Sequence, residues 1–183
     1  MKARARAIAG ATDLSGTTFT YDGVPHPALV SVTGVGGLAL TLSPVYSCGH
    51  PPIDAADSGC MASYAYAGDA NHTGSAGSTT YTISKKPASV TPNSASKFFG
   101  NTDPTPLTSG VLSGFVASEN IVATYARTLG ETATVAGSPY TISATLSPAA
   151  VLSNYNITYN TAQFTISKKS ASVTPAAASK TYG

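Results

Sequence analysis

Charged side chains are scarce in this sequence, and tryptophan is absent. Lys, Arg, Asp and Glu make up 10% of the 183 residues, against about 25% in typical soluble domains. The positive charges are scattered and the net charge is +2, so we expect no basic surface for nucleic acid. No apolar run approaches the roughly 18 residues of a membrane helix. We therefore expect neither a nucleic-acid partner nor a membrane span in this fragment.

Helix-forming and catalytic side chains are also few. Glutamate occurs only at Glu119 and Glu131, and leucine rarely recurs at helical spacing. Three histidines and eight acidic residues leave little scope for general acid–base chemistry. No serine stands in a nucleophile-elbow sequence, and the glycine cluster at residues 34–37 precedes a strand pattern, which does not suit a phosphate-binding loop. We predict a protein that is not an enzyme and needs no cofactor.

The sequence is rich in repetition. Residues 81–92, YTISKKPASVTP, reappear at residues 164–175 as FTISKKSASVTP, a shift of 83 residues (from 81 to 164). The match continues from ASKFFG at residues 95–100 to ASKTYG at residues 178–183, and FTYDG at residues 19–23 is an earlier copy. A period this long is typical of an array of small domains.

The repeat predicts the domain boundaries. We expect a poorly ordered N-terminal segment at residues 1–16, a first module at residues 17–85, a second module at residues 86–167 and the truncated start of a third repeat at residues 168–183. The joint between the modules is short, and Pro87 restricts its backbone, so we expect stiff joints. We also expect the chain to be a piece of a longer array.

Alternating side chains predict strands. In residues 155–159, YNITY, the large side chains of Tyr155, Ile157 and Tyr159 fall at every second position and share one face. The same pattern recurs at residues 163–167, and shorter runs are separated by glycine and asparagine turns. We predict an all-β fold of tandem small sandwiches. In the absence of tryptophan, the core is expected to be filled by tyrosines, namely Tyr125, Tyr140, Tyr155 and Tyr159.

The second module resembles the MBG domain repeats of bacterial adhesins, of the type with an aromatic–glycine motif near the start. The resemblance extends in order over nearly the whole module. Phe98 and Phe99 depart from the usual tyrosine before Gly100, whereas Tyr182 restores it in the third copy. The matching pieces are residues 95–104 (ASKFFGNTDP), Ala126-Arg127 with Gly130-Glu131, Tyr140-Thr141-Ile142, residues 154–159 (NYNITY) and residues 164–168 (FTISK).

The first module resembles bacterial Ig-like repeats, through residues 20–26, 32–37 and 62–72. The two resemblances imply large repetitive proteins that are secreted or lie on the cell surface. They imply Ig-like sandwiches, with a β-grasp-like topology as an alternative for the second module. They transfer no catalytic residue.

Cys48 and Cys60 are the only cysteines. An even count in an exported β module favours a disulfide, which would stabilise the module by roughly 3 kcal/mol. The alternatives are two free thiols, or a zinc site in which Cys48, His50 and Cys60 are joined by His26 or His72. The spacing of these residues matches no recurrent zinc pattern.

Calcium is a further alternative, with oxygen ligands from Asp54, Asp57, Asp69 and Asn71. However, acidic residues are few, and Asp69-Ala70-Asn71 is typical of an Asx turn. We therefore predict no metal.

Two functions remain open. The first is a structural stalk, whose partners are the neighbouring repeats of the same chain. The second is a module that binds a glycan or a protein through the Cys48–Cys60 loop or through an exposed aromatic face. The sequence identifies no extracellular ligand.

Overall fold

The computed structural model describes residues 18–183. The N-terminal segment predicted to be poorly ordered, residues 1–16, lies outside the described residues. The prediction of an all-β fold is confirmed. Every helical segment of the described chain is a 3₁₀ turn, and the longest of them, Ala149–Asn154, has six residues. No described helix is both long enough and apolar enough to cross a membrane.

Fourteen strands occur in the described residues. The first seven are β1 Thr18–Thr20, β2 Val30–Thr33, β3 Ala39–Leu42, β4 Val45–Tyr46, β5 Met61–Gly68, β6 Thr73–Thr80 and β7 Thr82–Ser84. The others are β8 Lys86–Pro92, β9 Ala95–Phe98, β10 Gly110–Ser113, β11 Val122–Arg127, β12 Tyr140–Ser147, β13 Tyr155–Tyr159 and β14 Ala162–Ser167. The shorter 3₁₀ turns are Val35–Gly37, Ala55–Asp57, Ala117–Glu119 and Gly130–Thr132.

The strands form five sheets. Three of them have the orders β4-β5-β6, β10-β8-β13 and β11-β12-β14-β9, and the other two are the pairs β1-β7 and β2-β3. Hairpins explain the antiparallel pairs β2-β3 and β5-β6, because a short turn joins consecutive strands in each case.

The opening and closing strands of each sequence repeat pair in parallel. Strand β1 lies beside β7, and β9 lies beside β14. Both pairings end in the same way, since the amide of Tyr21 donates to the carbonyl oxygen of Ser84 and the amide of Phe99 donates to that of Ser167, each at 2.9 Å. The repeat seen along the sequence is therefore also a repeat of strand pairing.

Packing divides the chain into two compact units, neither of which is continuous along the sequence. The first comprises Met1–Ser89, of which residues 18–89 are described, with Ser113–Val122 and Ser147–Thr158. The second comprises Val90–Leu112, Ala123–Leu146 and Tyr159–Gly183. The first unit thus includes segments from both sides of the boundary expected near residue 85. This division follows packing alone, so the boundaries proposed from the repeat remain a prediction.

Each unit has its own buried cluster with aromatic residues at its centre. In the first unit the cluster consists of Tyr21, Ile83, Ala88 and Tyr155, with Phe115, Val116, Ile121 and Ile157 packed against it. In the second unit it consists of Ala133, Tyr140, Ile142, Phe164 and Ile166, with Leu107 and Tyr125 among the residues packed against it.

The expectation that tyrosines fill the core holds for three of the four named residues. Tyr140 and Tyr155 are buried and Tyr125 is partly buried. The prediction for Tyr159 is wrong, because its side chain is 50% exposed. Tyr159 is the last residue of β13. The alternation of side chains indicates the face on which a residue lies, but does not indicate whether that end of the strand is covered.

Candidate functional site

Cys48 and Cys60 form a disulfide in the structure, with their Cα atoms 5.6 Å apart. The loop between them is organised by a carboxylate of the 3₁₀ turn Ala55–Asp57. The Asp57 Oδ2 atom accepts hydrogen bonds from the amides of Ile53 at 2.8 Å and Asp54 at 3.0 Å. Because each sulfur is bonded to the other, neither is a thiolate available to zinc.

The histidines considered as zinc ligands do not converge. Among the described residues, one group of three potential ligands lies within 4.8 Å, namely Cys48, His50 and Asp57, and its sulfur belongs to the disulfide. Each histidine instead contacts a different aspartate close to it in sequence. The three pairs are His26 with Asp22 at 3.1 Å, His50 with Asp57 at 3.9 Å and His72 with Asp69 at 2.8 Å.

The residues considered for calcium are divided between two places. Asp54 and Asp57 belong to the loop closed by the disulfide, whereas Asp69 closes the turn between β5 and β6. Its Oδ1 atom accepts hydrogen bonds from the amides of Asn71 at 2.7 Å and His72 at 2.8 Å. The Asn71 amide and the His72 side chain lower the pKa of Asp69 to about 2. This carboxylate therefore holds a turn of the backbone.

A carboxylate flanked by two tyrosines occupies the core of the first unit. We call it the tyrosine–glutamate cluster, and it consists of Tyr21, Glu119 and Tyr155. Both phenol hydroxyls donate to Glu119, one to each carboxylate oxygen, and the Tyr155 oxygen also accepts from the amide of Val116 at 2.9 Å. The two rings meet edge to face with centroids 5.4 Å apart, a favourable geometry for aromatic pairs.

The cluster connects segments that are far apart in sequence. Tyr21 follows strand β1, Glu119 ends a 3₁₀ turn and Tyr155 begins β13, and 98 positions separate Tyr21 from Glu119. Burial, followed by the hydrogen bond to Glu119, raises the pKa of Tyr155 to about 12. The same causes raise the pKa of Tyr21. Both phenols therefore remain protonated donors well above neutral pH.

A network of four charged side chains lies in the second unit. This charged network consists of Lys97, Asp103, Arg127 and Glu131. The Arg127 guanidinium donates to both oxygens of Asp103, from Nε at 2.9 Å and from Nη2 at 2.8 Å. The Lys97 ammonium lies 2.8 Å from Asp103 Oδ1 and 2.6 Å from Glu131 Oε2. Alternating cations and anions thus neutralise one another.

Arg127 is the most deeply buried member of the network, with 8% of its surface exposed. Its guanidinium carbon lies 4.7 Å from the ring centroid of Phe164 and 5.7 Å from that of Tyr140, so cation–π contacts add to the bidentate ion pair. The Nη1 atom has no hydrogen-bond partner among the described residues. The network therefore rests directly on the core of the second unit.

The ion pairs shift the pKa values of the network. Burial raises the pKa of Asp103, but hydrogen bonds from Arg127 and Lys97 outweigh it and the net shift is downward. The Lys97 ammonium, together with the Asp103 amide, lowers the pKa of Glu131. Hydrogen bonds to Asp103 and Glu131 raise the pKa of Lys97. All these groups therefore keep their charges at neutral pH, and neither carboxylate is poised as a general acid.

Two concave surfaces were not predicted from the sequence. One is a groove on the β4-β5-β6 sheet with a volume of about 630 Å³, which we call the sheet groove; it is lined by Val45, Met61, Ser63, Tyr64, Ala65, Ala76, Gly77 and Ser78. The other is a pocket of about 310 Å³ beside the charged network, lined by Lys97, Phe99, Gly100, Asn101, Thr102, Glu131 and Ala133. Most of these residues are small, and the sequence marks neither set as a site.

The tyrosine–glutamate cluster should make the free energy of unfolding depend on pH in the alkaline range. A tyrosine in the unfolded chain has a pKa of about 10, and the folded-state pKa of Tyr155 is about 12. The free energy of unfolding should therefore be constant below pH 10 and fall as the pH rises from 10 to 12, because the unfolded state loses its protons first. Urea denaturation at a series of pH values measures this decline.

The variant Tyr155→Phe distinguishes the cluster's contribution to this decline from that of other tyrosines. Tyr81 is one of these, because burial raises its pKa as well. This variant should lower the free energy of unfolding by about 1–3 kcal/mol at pH 7, because it leaves the Val116 amide unpaired, and it should flatten the alkaline decline. The matched control Tyr159→Phe alters a half-exposed ring of the same strand. An equal response of the two variants would contradict the proposed role of the cluster.

The charged network should require arginine at position 127. Arg127→Lys keeps the charge but loses the bidentate geometry and the stacking on Phe164, so we expect a loss of about 2–3 kcal/mol at pH 7 in urea denaturation. Asp103 and Glu131 have lowered pKa values when folded, and their stabilisation is lost as the pH falls below about 4. The difference between the variant and the wild type should therefore shrink in acid. Lys168→Arg, at an exposed position, is the control, and a loss of the same size there would refute the prediction.

Comparison with known proteins finds one family. Residues 88–165 match the family model of the MBG domain (YGX type), which covers less than half of the 183 residues. The match includes Asp103, Arg127 and Glu131 as well as Lys97, so the charged network lies wholly within it. No curated protein and no solved structure matches the chain. The MBG domain is a repeat domain typical of bacterial surface proteins, and residues 88–165 of this chain are similar to it.

Proposed function

We propose that this chain is a non-catalytic, load-bearing segment of a large adhesin-like bacterial protein that is secreted or lies on the cell surface. The observation that carries the proposal is the parallel pairing of opening and closing strands, β1 with β7 and β9 with β14. The similarity of residues 88–165 to the MBG domain supports it.

Parallel pairing determines how a pulling force acts on a repeat. The chain enters along the opening strand and leaves along the closing strand, and the two run in the same direction. Tension on the two ends therefore pulls the paired strands past each other along their axes. All the hydrogen bonds of the ladder then carry the load together, since they lie across the direction of the force. An antiparallel pair pulled from adjacent ends would open one bond at a time.

Long-range contacts within the first unit support the same role. The tyrosine–glutamate cluster joins Tyr21 to Glu119. The buried Asn154 side chain accepts from the amide of Ala55 at 3.0 Å and donates to Asp54 Oδ1 at 2.8 Å, across 99 and 100 positions of sequence. Segments from both sequence repeats are therefore held by specific hydrogen bonds as well as by the chain between them. Such contacts limit bending where one repeat continues into the next.

The finer assignments belong to this proposal. We infer an extracellular location, neighbouring repeats as the principal partners and an Ig-like relationship for residues 17–85. The disulfide between Cys48 and Cys60 is typical of exported proteins, which supports the location. A structural role is further supported by the charged side chains within residues 88–165, every one of which pairs with another side chain. They are Lys97, Asp103, Arg127, Glu131 and, in the tyrosine–glutamate cluster, Glu119.

Single-molecule force measurements test the load-bearing role. Handles attached at Ser94, before β9, and at Lys168, after β14, pull opposite ends of the parallel pair and should shear it. Handles at Asn101 and Lys168 pull the same end of the two strands and should peel them apart. We expect the second unit to withstand a several-fold higher force in the first geometry than in the second.

The pair of attachment geometries is its own control, because the protein and the conditions are identical. Ser94, Asn101 and Lys168 are all exposed, so attachment leaves the core intact. Equal unfolding forces in the two geometries would show that the parallel ladder does not carry the load.

A second candidate function is the binding of a glycan or a protein. The sheet groove favours it, because Val45 and Met61 are 71% and 42% exposed there, and none of the strands β4, β5 and β6 contains a charged residue. A glycan array with the whole chain distinguishes the two functions. The structural proposal expects no reproducible binding, whereas binding that is lost in Met61→Glu and retained in Val111→Glu would favour a binding module.

A further inference from the structure

We propose that the surface formed by Phe99 and Gly100 is a docking site for a further MBG-type repeat. The part of that repeat that docks is the turn that corresponds to residues 115–119 of the second module. This inference rests on the proposed structural function and names the partner of one surface. It follows from a comparison of two equivalent places in the chain, one covered and one exposed.

Tyr21 and Phe99 occupy equivalent positions. Each directly follows the opening strand of its repeat, and each donates its amide hydrogen to the serine that ends the parallel closing strand, Ser84 or Ser167, at 2.9 Å. The residues before them correspond as well, because Thr20 lies opposite Ser84 and Phe98 lies opposite Ser167. The backbone thus presents the two aromatic rings in the same local setting.

The two rings differ in what covers them. Tyr21 is 4% exposed, and the residues packed around it include Val116, Glu119 and Tyr155. In the sequence repeat, these three belong to the copy that follows the one containing Tyr21. Phe99 is 51% exposed, and no described residue covers it in this way. Phe99 is thus half-exposed at a position where its counterpart is buried by residues of the following copy, and this difference carries the proposal.

A nearby glycine gives independent support. Gly23 lies two residues after Tyr21 and Gly100 one residue after Phe99, so the two glycines are not in register, but both have positive φ angles, 79° and 82°. A methyl group on Gly23 would lie 3.3 Å from the Val116 side chain, so the turn of the following copy packs directly on this glycine. A methyl group on Gly100 would meet nothing within 4 Å. The surface around Gly100 therefore has room for an approaching turn.

The pocket beside Phe99 is large enough to hold a few side chains. Its volume is about 310 Å³, and Phe99, Gly100, Asn101 and Thr102 form one of its sides. In the first unit, Phe115 and Val116 are the apolar side chains of the turn, and they pack against the buried cluster that contains Tyr21 and Tyr155. An equivalent apolar turn would bury the Phe99 ring.

The proposed occupant is a further repeat of the same type. Residues 168–183 repeat residues 85–100 at a shift of 83 residues, so they have the sequence with which such a repeat opens. A second copy of this chain is a poorer occupant, because Tyr21 already fills the face of its own turn at residues 115–119.

Hydroxyl-radical footprinting of an extended chain tests the docking. The extension places a copy of residues 101–167 directly after Gly183, which completes a further repeat at the natural spacing. Oxidation of Phe99 should fall by roughly tenfold relative to the 183-residue chain, in line with the exposures of 51% for Phe99 and 4% for Tyr21. Phe98 is the internal control, because it is 56% exposed and its counterpart Thr20 remains exposed in the first unit.

The outcomes separate the possibilities. Protection of Phe99 but not of Phe98 supports the docking, whereas equal oxidation of Phe99 in the two chains overturns it, including the case in which the added repeat fails to fold. Protection of Phe99 in the 183-residue chain that increases with concentration would identify a second copy as the occupant and would also overturn it. The two proposals fail independently. An unprotected Phe99 would not contradict the load-bearing role, because footprinting involves no force. Equal unfolding forces in the two pulling geometries would not contradict the docking.

A variant of the 183-residue chain provides a second test. The variant Tyr21→Phe puts a phenylalanine, the residue type found at position 99, at the covered position 21. The variant loses only the hydrogen bond from Tyr21 to Glu119. If phenylalanine can form this joint, hydrogen exchange should still show protection of the Val116 amide in this variant and loss of protection in Tyr21→Ser. Loss of protection in both variants would show that Phe99 cannot dock a turn of this kind.

Discussion

The parallel ladder between opening and closing strands organises each repeat. It brings the first and last strands of a repeat side by side, so that the segments between them must fold back within that frame. In the second unit, β14 carries Phe164 and Ile166 into the core while it pairs with β9. The neighbouring Lys97 of β9 then meets Asp103 and Glu131 at the surface. The ladder, the core and the charged network therefore all include residues of these two strands.

The scarcity of charge determines how each charged side chain is used. A chain with few ions cannot rely on many weak surface pairs, which contribute little individually. Within residues 88–165, four of the five charged side chains are buried or partly buried. A bidentate arginine satisfies Asp103, and a pair of tyrosine hydroxyls satisfies Glu119. Such contacts specify geometry, because a buried charge without its partner is strongly unfavourable. Outside this segment, each of the three histidines lies within 3.9 Å of an aspartate no more than seven positions away.

Prediction from the sequence succeeded where the signal was local and failed where large side chains were missing. Residues 155–159 were predicted as a strand, and β13 has these same bounds. Strand β6, with the sequence TGSAGSTT, has no large side chains at alternate positions from which it could be predicted. Its side chains are too small for alternation to be visible. Small residues are needed there, since a methyl group on Gly74 would lie 2.8 Å from the carbonyl oxygen of Tyr66.

The all-β class, the repeat and the resemblance of the second module to the MBG domain could all be predicted from the sequence, because alternation and self-similarity are patterns along the chain. It also singled out Cys48 and Cys60, which the structure joins. In contrast, the fold was needed to see that residues of the following copy cover Tyr21 while Phe99 is exposed. The same holds for the four scattered charges that form one network. These contacts join residues far apart in sequence, 98 positions in the case of Tyr21 and Glu119. Their formation depends on how strands pack in space, about which no local pattern carries information.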